Sequence, residues 1–314
     1  MLVAVVGVGG MGGYYGARLK QAGVEVAFVA RGENLAALRA HGLRLKLKSR
    51  PEDEIAMPVH ATDDAAQIGA VDLVVFGVKT YHLEDAAARC RPLMGPDTTI
   101  LPLQNGIDIA ERLGAVLGVQ HVLGGVSYVS AALEAPGLVV KGSDPGRELL
   151  FGELAGGDSE RVQRIAKVFR QAGVLVETSA DVRSVLWVKF IGACAGALTA
   201  LNGLPIGVIL GCPQTRELYR GIMDEMVAVA RARGVALPAD TVERLVGLIS
   251  GYAPLTRTSL GYDRDAGRRL ELESLNGTVV RLGCESGVPT PLNFALYAAL
   301  KPFEDGWPDL MRTS

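Results

Sequence analysis

Three places in the 314-residue chain combine residue types whose spacing could do chemistry. The first is GVGGMG, Gly7 to Gly12, which fits the pattern GxGxxG. In that pattern the first glycine permits a tight turn and the second lets the backbone approach a pyrophosphate. The third allows a helix to pack against the preceding strand, so that helix N–H groups face an anion. Val8, Gly10 and Met11 complete the loop. The second place is the end of the next apolar run, VAFVARGEN, where Arg31 stands and no carboxylate follows until Glu33. An acid there accepts hydrogen bonds from a ribose 2′-hydroxyl, whereas an arginine accommodates a 2′-phosphate, so the residues favour NADP(H) over NAD(H). The third is Lys189, set among Leu186, Trp187, Val188, Phe190 and Ile191. A lysine is costly in such surroundings unless paired, and burial lowers its pKa toward useful proton transfer.

The elements that must position these residues follow from the apolar pattern. The first half alternates short apolar runs with helix-like segments, the signature of βαβ units and a parallel sheet. Strands are expected at Leu2–Val6, Val24–Val29, Leu73–Gly77, Thr99–Leu101 and Val122–Ser127. Helices are expected at Met11–Ala22, Asn34–His41, His82–Arg91 and Ile107–Leu117, giving an open, doubly wound, Rossmann-type sheet. Gly137–Lys141 and Leu149–Phe151 flank the turn-prone Gly142–Gly146 and read as a hairpin on the far edge. Val162, Ile165, Ala166 and Phe169 recur at helical spacing, and Val174–Thr178 gives one last strand.

From Asp181, a candidate helix cap, the texture becomes helical. Leu218, Ile222, Met226 and Val229 form an apolar stripe, and Leu270–Gly283 and Phe294–Leu300 read as further helices. The fold class is therefore α/β, with a dinucleotide-binding domain over 1–180 and an all-α domain over 181–314.

Composition narrows the partners. Net charge is −2, with 21% charged and 5% aromatic residues. Such a chain has no basic excess to neutralise a nucleic-acid backbone. The apolar stretches Leu2–Val8 and Phe190–Leu201 read as too short or too glycine-rich to span a bilayer, and the first lacks the features of a signal peptide, so a soluble cytoplasmic protein is expected. The four cysteines and four histidines are scattered without ligand spacing, which disfavours a metal site or a disulfide framework.

Two further motifs, VKTYH (Val78–His82) and LQNGI (Leu103–Ile107), fall in loops on the ligand side of such a sheet. Together with GVGGMG, Arg31, WVKF (Trp187–Phe190) and the late SL…LELESLNG stretch, they make the chain resemble the ketopantoate reductase (2-dehydropantoate 2-reductase) family over nearly its whole length. The resemblance implies a Rossmann domain followed by a helical domain, and NADPH-dependent reduction of a branched 2-oxo acid on the route to pantothenate. By the same match Lys189 is the general acid and a substrate contact, and Glu271 is the site acid positioning substrate or lysine. Asn105 is implied to touch cofactor and substrate, Lys79 to lie near both, Ser259 to hydrogen-bond substrate and Ala131 to lie on the nicotinamide side. Ser259 and Glu271 stand at the mutual spacing the family shows. Glu273, two residues on, reads as a solvated charge.

A ketone accepting hydride becomes an alkoxide, which needs a cation or proton donor at its oxygen, and Lys189 has that chemistry. Alone, Lys79 and Ser259 would read as solvated loop residues and Asn105–Gly106 as a turn. One departure matters: where family members carry asparagines one and two turns beyond the lysine, this chain has Ala193 and Ala197. Asn202 remains further along without an assigned role. Two alternatives stay open: a related 2-oxo or β-hydroxy acid dehydrogenase with another substrate, and a non-catalytic NADP(H)-sensing protein. The apolar helical domain makes a homodimer plausible.

Overall fold

The computed structural model of the chain describes residues 1–142, 146–308 and 311. It divides into two compact units, one of Met1–Gln104 with Ile109–Arg183 and the other of Asn105–Asp108 with Ser184–Ser314.

The first unit begins with β1 (Leu2–Val6), α1 (Gly10–Gln21), β2 (Glu25–Val29), α2 (Gly32–His41), β3 (Leu43–Leu47), β4 (Arg50–Met57) and β5 (His60–Thr62). It continues with β6 (Leu73–Phe76), α3 (Leu83–Arg89), β7 (Thr99–Pro102), α4 (Ile109–Leu117) and β8 (Leu123–Ser127). After these come β9 (Ala131–Ala135), β10 (Leu138–Lys141), β11 (Leu149–Glu153), α5 (Glu160–Gln171) and β12 (Val176–Thr178).

Five strands form a wholly parallel sheet in the order β5-β2-β1-β6-β7. Its centre is apolar on both faces, as helix-covered parallel strands require: Val3, Ala4 and Val5 of β1 and Leu73, Val74 and Val75 of β6 are fully buried. The chain winds outward from β1 through β2 to β5 and returns to β6 on the other side of β1, so the switch point lies between β1 and β6.

Two smaller sheets, β4-β3-β10-β9 and β12-β11-β8, accompany it. They correct two expectations. The stretches expected to form a hairpin are not partners: β10 pairs antiparallel with β9 and parallel with β3, whereas β11 pairs antiparallel with β8 and parallel with β12. Residues 143–145 of the intervening turn-prone segment lie outside the described residues. The strand expected at Val122–Ser127 joins the five-stranded sheet only through a single bridge, Ile100 to Val122, and otherwise belongs with β11.

Among the described residues the second unit contains helices and no strands. They are α6 (Val182–Ala195), α7 (Leu198–Asn202), α8 (Ile206–Gly211), α9 (Pro213–Ala232), α10 (Thr241–Ser250), α11 (Ser259–Asp265), a π-helical turn (Glu273–Gly277), α12 (Thr278–Ser286) and α13 (Pro291–Leu300). Asp181 immediately precedes α6. Ile222, Met226 and Val229 are buried and Leu218 packs on the same core, so the α9 stripe faces inward. The expected helix Leu270–Gly283 is instead broken at its start. Leu270 N–H donates to the Glu304 carbonyl, which leaves Glu271 outside any helix, and the turn that follows closes with Gly277 N–H on the Leu272 carbonyl. The longer stretch Val182–Asn202, which contains Phe190–Leu201, is long and apolar enough to cross a membrane by length and composition alone. Its apolar side chains Trp187, Phe190, Ile191 and Leu198 belong to the core of the second unit.

Candidate active site

The glycine loop separates what the backbone demands from what a ligand would demand. Gly7 has φ +88°, and a Cβ there would lie 2.6 Å from the Val78 nitrogen. A Cβ on Gly12 would lie 2.2 Å from the Gly7 carbonyl oxygen, and one on Gly10 would lie 2.1 Å from that of Ala131. These three glycines are required by close backbone approach alone. Gly9 differs: a Cβ there would meet nothing within 4 Å, and its φ of −84° suits any residue. Gly9 is the N-cap of α1 and gives the first-turn N–H groups no side-chain cap, and the space beside its own Cα is open. This geometry fits a pyrophosphate.

Asn34, which sequence reasoning passed over, braces the loop. Its Nδ2 donates to the Val8 carbonyl at 2.8 Å and its Oδ1 accepts from Gly137 N–H at 2.8 Å. Met11 is half-buried, and its Sδ accepts from Ser127 Oγ at 3.2 Å. Ala131, half-buried, opens β9 against Gly10.

Arg31 is the N-cap residue of α2, and its guanidinium stays 49% exposed. One nitrogen lies 3.3 Å from Oδ2 of Asp85 in α3, whose Oδ1 accepts from Arg89 at 3.1 Å. Lys79 is half-buried at the N-cap of a short 3-10 turn, Thr80–His82. That loop is tied on both sides. Gln104 Nε2 donates to the Val78 carbonyl at 3.1 Å, and Arg112 donates to the Thr80 carbonyl at 3.0 Å and to both oxygens of Glu84. The Arg112 guanidinium holds the Glu84 carboxyl below its usual range.

Lys189, Asn105, Ser259 and Glu271 all belong to the second unit. Lys189 sits on α6 between the buried Trp187 and Phe190, and burial pushes its pKa down. Asn105 is half-buried on a short segment held by its neighbours: Ile107 packs on the helical core, and Asp108 accepts from Arg281 at 3.1 Å and from Thr278 at 3.4 Å. Ser259 is exposed as the first residue of α11. The capping falls to Thr258, whose hydroxyl accepts from Gly261 N–H at 3.3 Å and donates to the Gly196 carbonyl at 3.1 Å. Glu271 is half-buried just before the π-helical turn, a local irregularity often found at functional sites. Glu273 is exposed, accepts from Tyr297 at 2.6 Å and pairs with Lys301. Burial raises its pKa, but Lys301 and Tyr297 outweigh this and hold its carboxyl low.

The positions that depart from the family differ from one another. Ala193 is half-buried one turn beyond Lys189. Ala197 lies past the end of α6 and is fully buried, so it does not continue the half-buried face of α6 that carries Lys189 and Ala193. Asn202 is exposed, and its Oδ1 accepts from Leu204 N–H at the end of α7. Asn276 is a polar residue that sequence reasoning did not single out. It is fully buried and donates through Nδ2 to the Cys194 carbonyl of α6 and to Asn293 Oδ1, both at 3.3 Å. The surrounding stretch LESLNG mixes polar and apolar residues, so no local pattern marks Asn276 as buried.

A parallel sheet with a glycine turn at its switch point, joined to an all-helical unit carrying a half-buried lysine on an apolar helix, defines a class of two-part α/β oxidoreductases. The chain belongs to the ketopantoate reductase family. The model described as "Ketopantoate reductase PanE/ApbA" matches residues 3–156, and its C-terminal counterpart matches residues 181–304. The chain is 32% identical to a 2-dehydropantoate 2-reductase of Mesorhizobium japonicum, over 96% of this chain and 97% of that protein. Among solved structures, a PanE/ApbA family ketopantoate reductase from Ralstonia eutropha is 36% identical with a TM-score of 0.87, covering 97% of this chain and 99% of that one. A D-mandelate dehydrogenase solved with NADH and anilino(oxo)acetate shares the fold at 21% identity and a TM-score of 0.85, covering 97% and 99% of the two chains. The protein is thus an enzyme of the oxidoreductase class.

Proposed function

We propose that the chain reduces a 2-oxo acid with NADPH, and that the acid is 2-dehydropantoate, giving pantoate for pantothenate synthesis. Lys189 carries the reading: a lysine on an apolar helix, its pKa lowered by burial, in a chain of a reductase family. Bound NADPH supplies the hydride that forms the new C–H bond. The open space at Gly9 and the N–H groups of α1 receive the pyrophosphate, and Arg31 pairs with the 2′-phosphate. Lys79, Asn105 and Ala131 complete the cofactor contacts, with Asn105 offering both a donor and an acceptor. As hydride reaches the carbonyl carbon, the C=O π pair moves to oxygen, and Lys189 Nζ gives that oxygen its proton. Ser259 hydrogen-bonds the substrate, and Glu271 orients substrate or lysine. On this reading residues 1–180 hold NADP(H), and residues 181–314 carry the substrate groups and the contact of a homodimer in the cytoplasm.

A panel of 2-oxo acids assayed by NADPH and NADH oxidation tests the proposal, with the highest kcat/KM expected on 2-dehydropantoate. Ala193 supports a second reading, another 2-oxo acid, because a methyl group there offers no polar contact. A different best substrate in the panel would select it. Tight NADPH binding with no turnover on any oxo acid would leave the sensing role instead. Arg31→Ala should weaken NADPH binding far more than NADH binding, and equal losses would remove the NADP assignment.

A further inference from the structure

We infer that Asp85 sets how strongly the protein prefers NADP(H) over NAD(H), by occupying Arg31 until a 2′-phosphate displaces it; the inference rests on the cofactor reading above. Arg31 stands just past β2, and Asp85 lies in the first turn of α3, which follows β6. Strands β2 and β6 flank β1 on opposite sides. The Arg31–Asp85 pair, at 3.3 Å, therefore reaches across the carboxyl end of β1, from which the Gly7–Gly12 loop departs. Both side chains are about half exposed, at 49% and 51%, and exposed pairs of this kind are weak enough to be given up.

The exchange leaves no charge stranded. Asp85 keeps Arg89 at 3.1 Å, one helical turn on, when Arg31 departs. A phosphate monoester carries nearly two negative charges at neutral pH and offers oxygens suited to the guanidinium fork, so it outcompetes one carboxylate. NAD(H) brings only a hydroxyl, which has no charge with which to contest the pair. Asp85 thus costs NADP(H) twice, by competing for Arg31 and by repelling the incoming phosphate, and costs NAD(H) nothing.

The test is fluorescence titration of NADPH and NADH at low ionic strength against the parent protein, Asp85→Asn, Asp85→Glu, Arg31→Ala and the double variant Arg31→Ala/Asp85→Asn. Asp85→Asn should tighten NADPH binding by about 1.5- to fivefold, the range an exposed ion pair spans, and leave NADH binding unchanged. The gain should shrink at high salt and vanish on the Arg31→Ala background. Asp85→Glu keeps the charge and should bind NADPH as the parent does. Unchanged or weaker NADPH binding in Asp85→Asn, equal tightening of both cofactors, or equal tightening in Asp85→Glu would overturn the role of Asp85. Arg31→Ala weakening both cofactors equally would instead overturn the cofactor reading itself, whatever Asp85→Asn does.

Discussion

At Gly9 and Gly10, adjacent glycines meet different demands, and substitution separates them. Gly9→Ala places a methyl group in open space at an ordinary φ, so it should cost no more than the loss of a glycine N-cap, about 1 kcal/mol or less. It should still weaken NADPH binding about tenfold or more, because that space is where a pyrophosphate must approach. Gly10→Ala and Gly12→Ala drive a methyl into backbone carbonyls and should lower stability by about 1–3 kcal/mol, as measured by urea unfolding. An unstable Gly9→Ala, or one that binds NADPH normally, would return the loop to a plain turn. Lys189 permits a second prediction at this scale. Proton donation requires the ammonium, and burial lowers its pKa, so kcat should fall as pH rises through a value below that of an ordinary lysine. Lys189→Ala should lower kcat by about 10²–10⁴ with NADPH affinity intact. In Lys189→Arg, whose guanidinium stays charged, any residual activity should lose that alkaline limb. Glycine and lysine were legible because their types and neighbours carry the information. Lys79, Ser259, Glu271 and Ala131 took their roles from resemblance alone, and Asp85 gave no signal, since its contact with Arg31 spans 54 positions.

Helix α1 owes its position to a buried charge pair that no motif announces. Lys141 and Glu148 are 6% and 3% exposed and 2.5 Å apart. Tyr14 donates to Glu148 Oε1 at 2.7 Å, Leu175 N–H donates to Oε2 at 3.0 Å, and Tyr15 donates to the Glu148 carbonyl at 2.7 Å. One carboxylate thereby ties α1 to β10 and to the start of β11. Burial raises the pKa of Glu148, but the bonds from Lys141, Tyr14 and Leu175 together outweigh it and hold the carboxyl below its usual range. Burial and then Glu148 push the Tyr14 hydroxyl up to about 12. Because the folded-state pKa of Glu148 is depressed, its stabilisation is in place above the ordinary carboxylate pKa and is lost as pH falls through the folded value. Glu148→Gln, which takes the buried carboxylate away from Lys141, should lower stability by about 3–5 kcal/mol at pH 7. Thermal melts should show the gap to the parent closing on acidification; a gap independent of pH would mean the carboxylate charge is not what matters. The same region explains the misread hairpin. Gly142–Gly146 is locally turn-prone, but strand partnership is a long-range property, and β10 finds its partners in β3 and β9. LRLKL does alternate apolar and charged residues at strand period but over only five residues, and AALEA is poor in strand-forming residues.

Each unit has its own apolar core, with Val5, Phe28 and Phe151 in the first and Phe190, Met223 and Leu272 in the second. A ligand held mainly by groups of one unit should therefore report mainly on that unit's stability. NADPH at about 100 times its dissociation constant should add about 2.7 kcal/mol to the state that binds it. For a unit of this size that corresponds to a rise of about 5–10 °C in the transition containing the first unit, readable by calorimetry. The rise should disappear in Gly9→Ala, shrink in Arg31→Ala and survive in Lys189→Ala, whose side chain acts on the substrate oxygen. NADH, lacking the 2′-phosphate, should produce a smaller rise at equal concentration, and that rise should be untouched by Arg31→Ala. A Lys189→Ala protein that no longer responds to NADPH would place the lysine in cofactor binding and remove it as the proton donor. A Gly9→Ala protein that responds fully would move the dinucleotide away from the glycine loop.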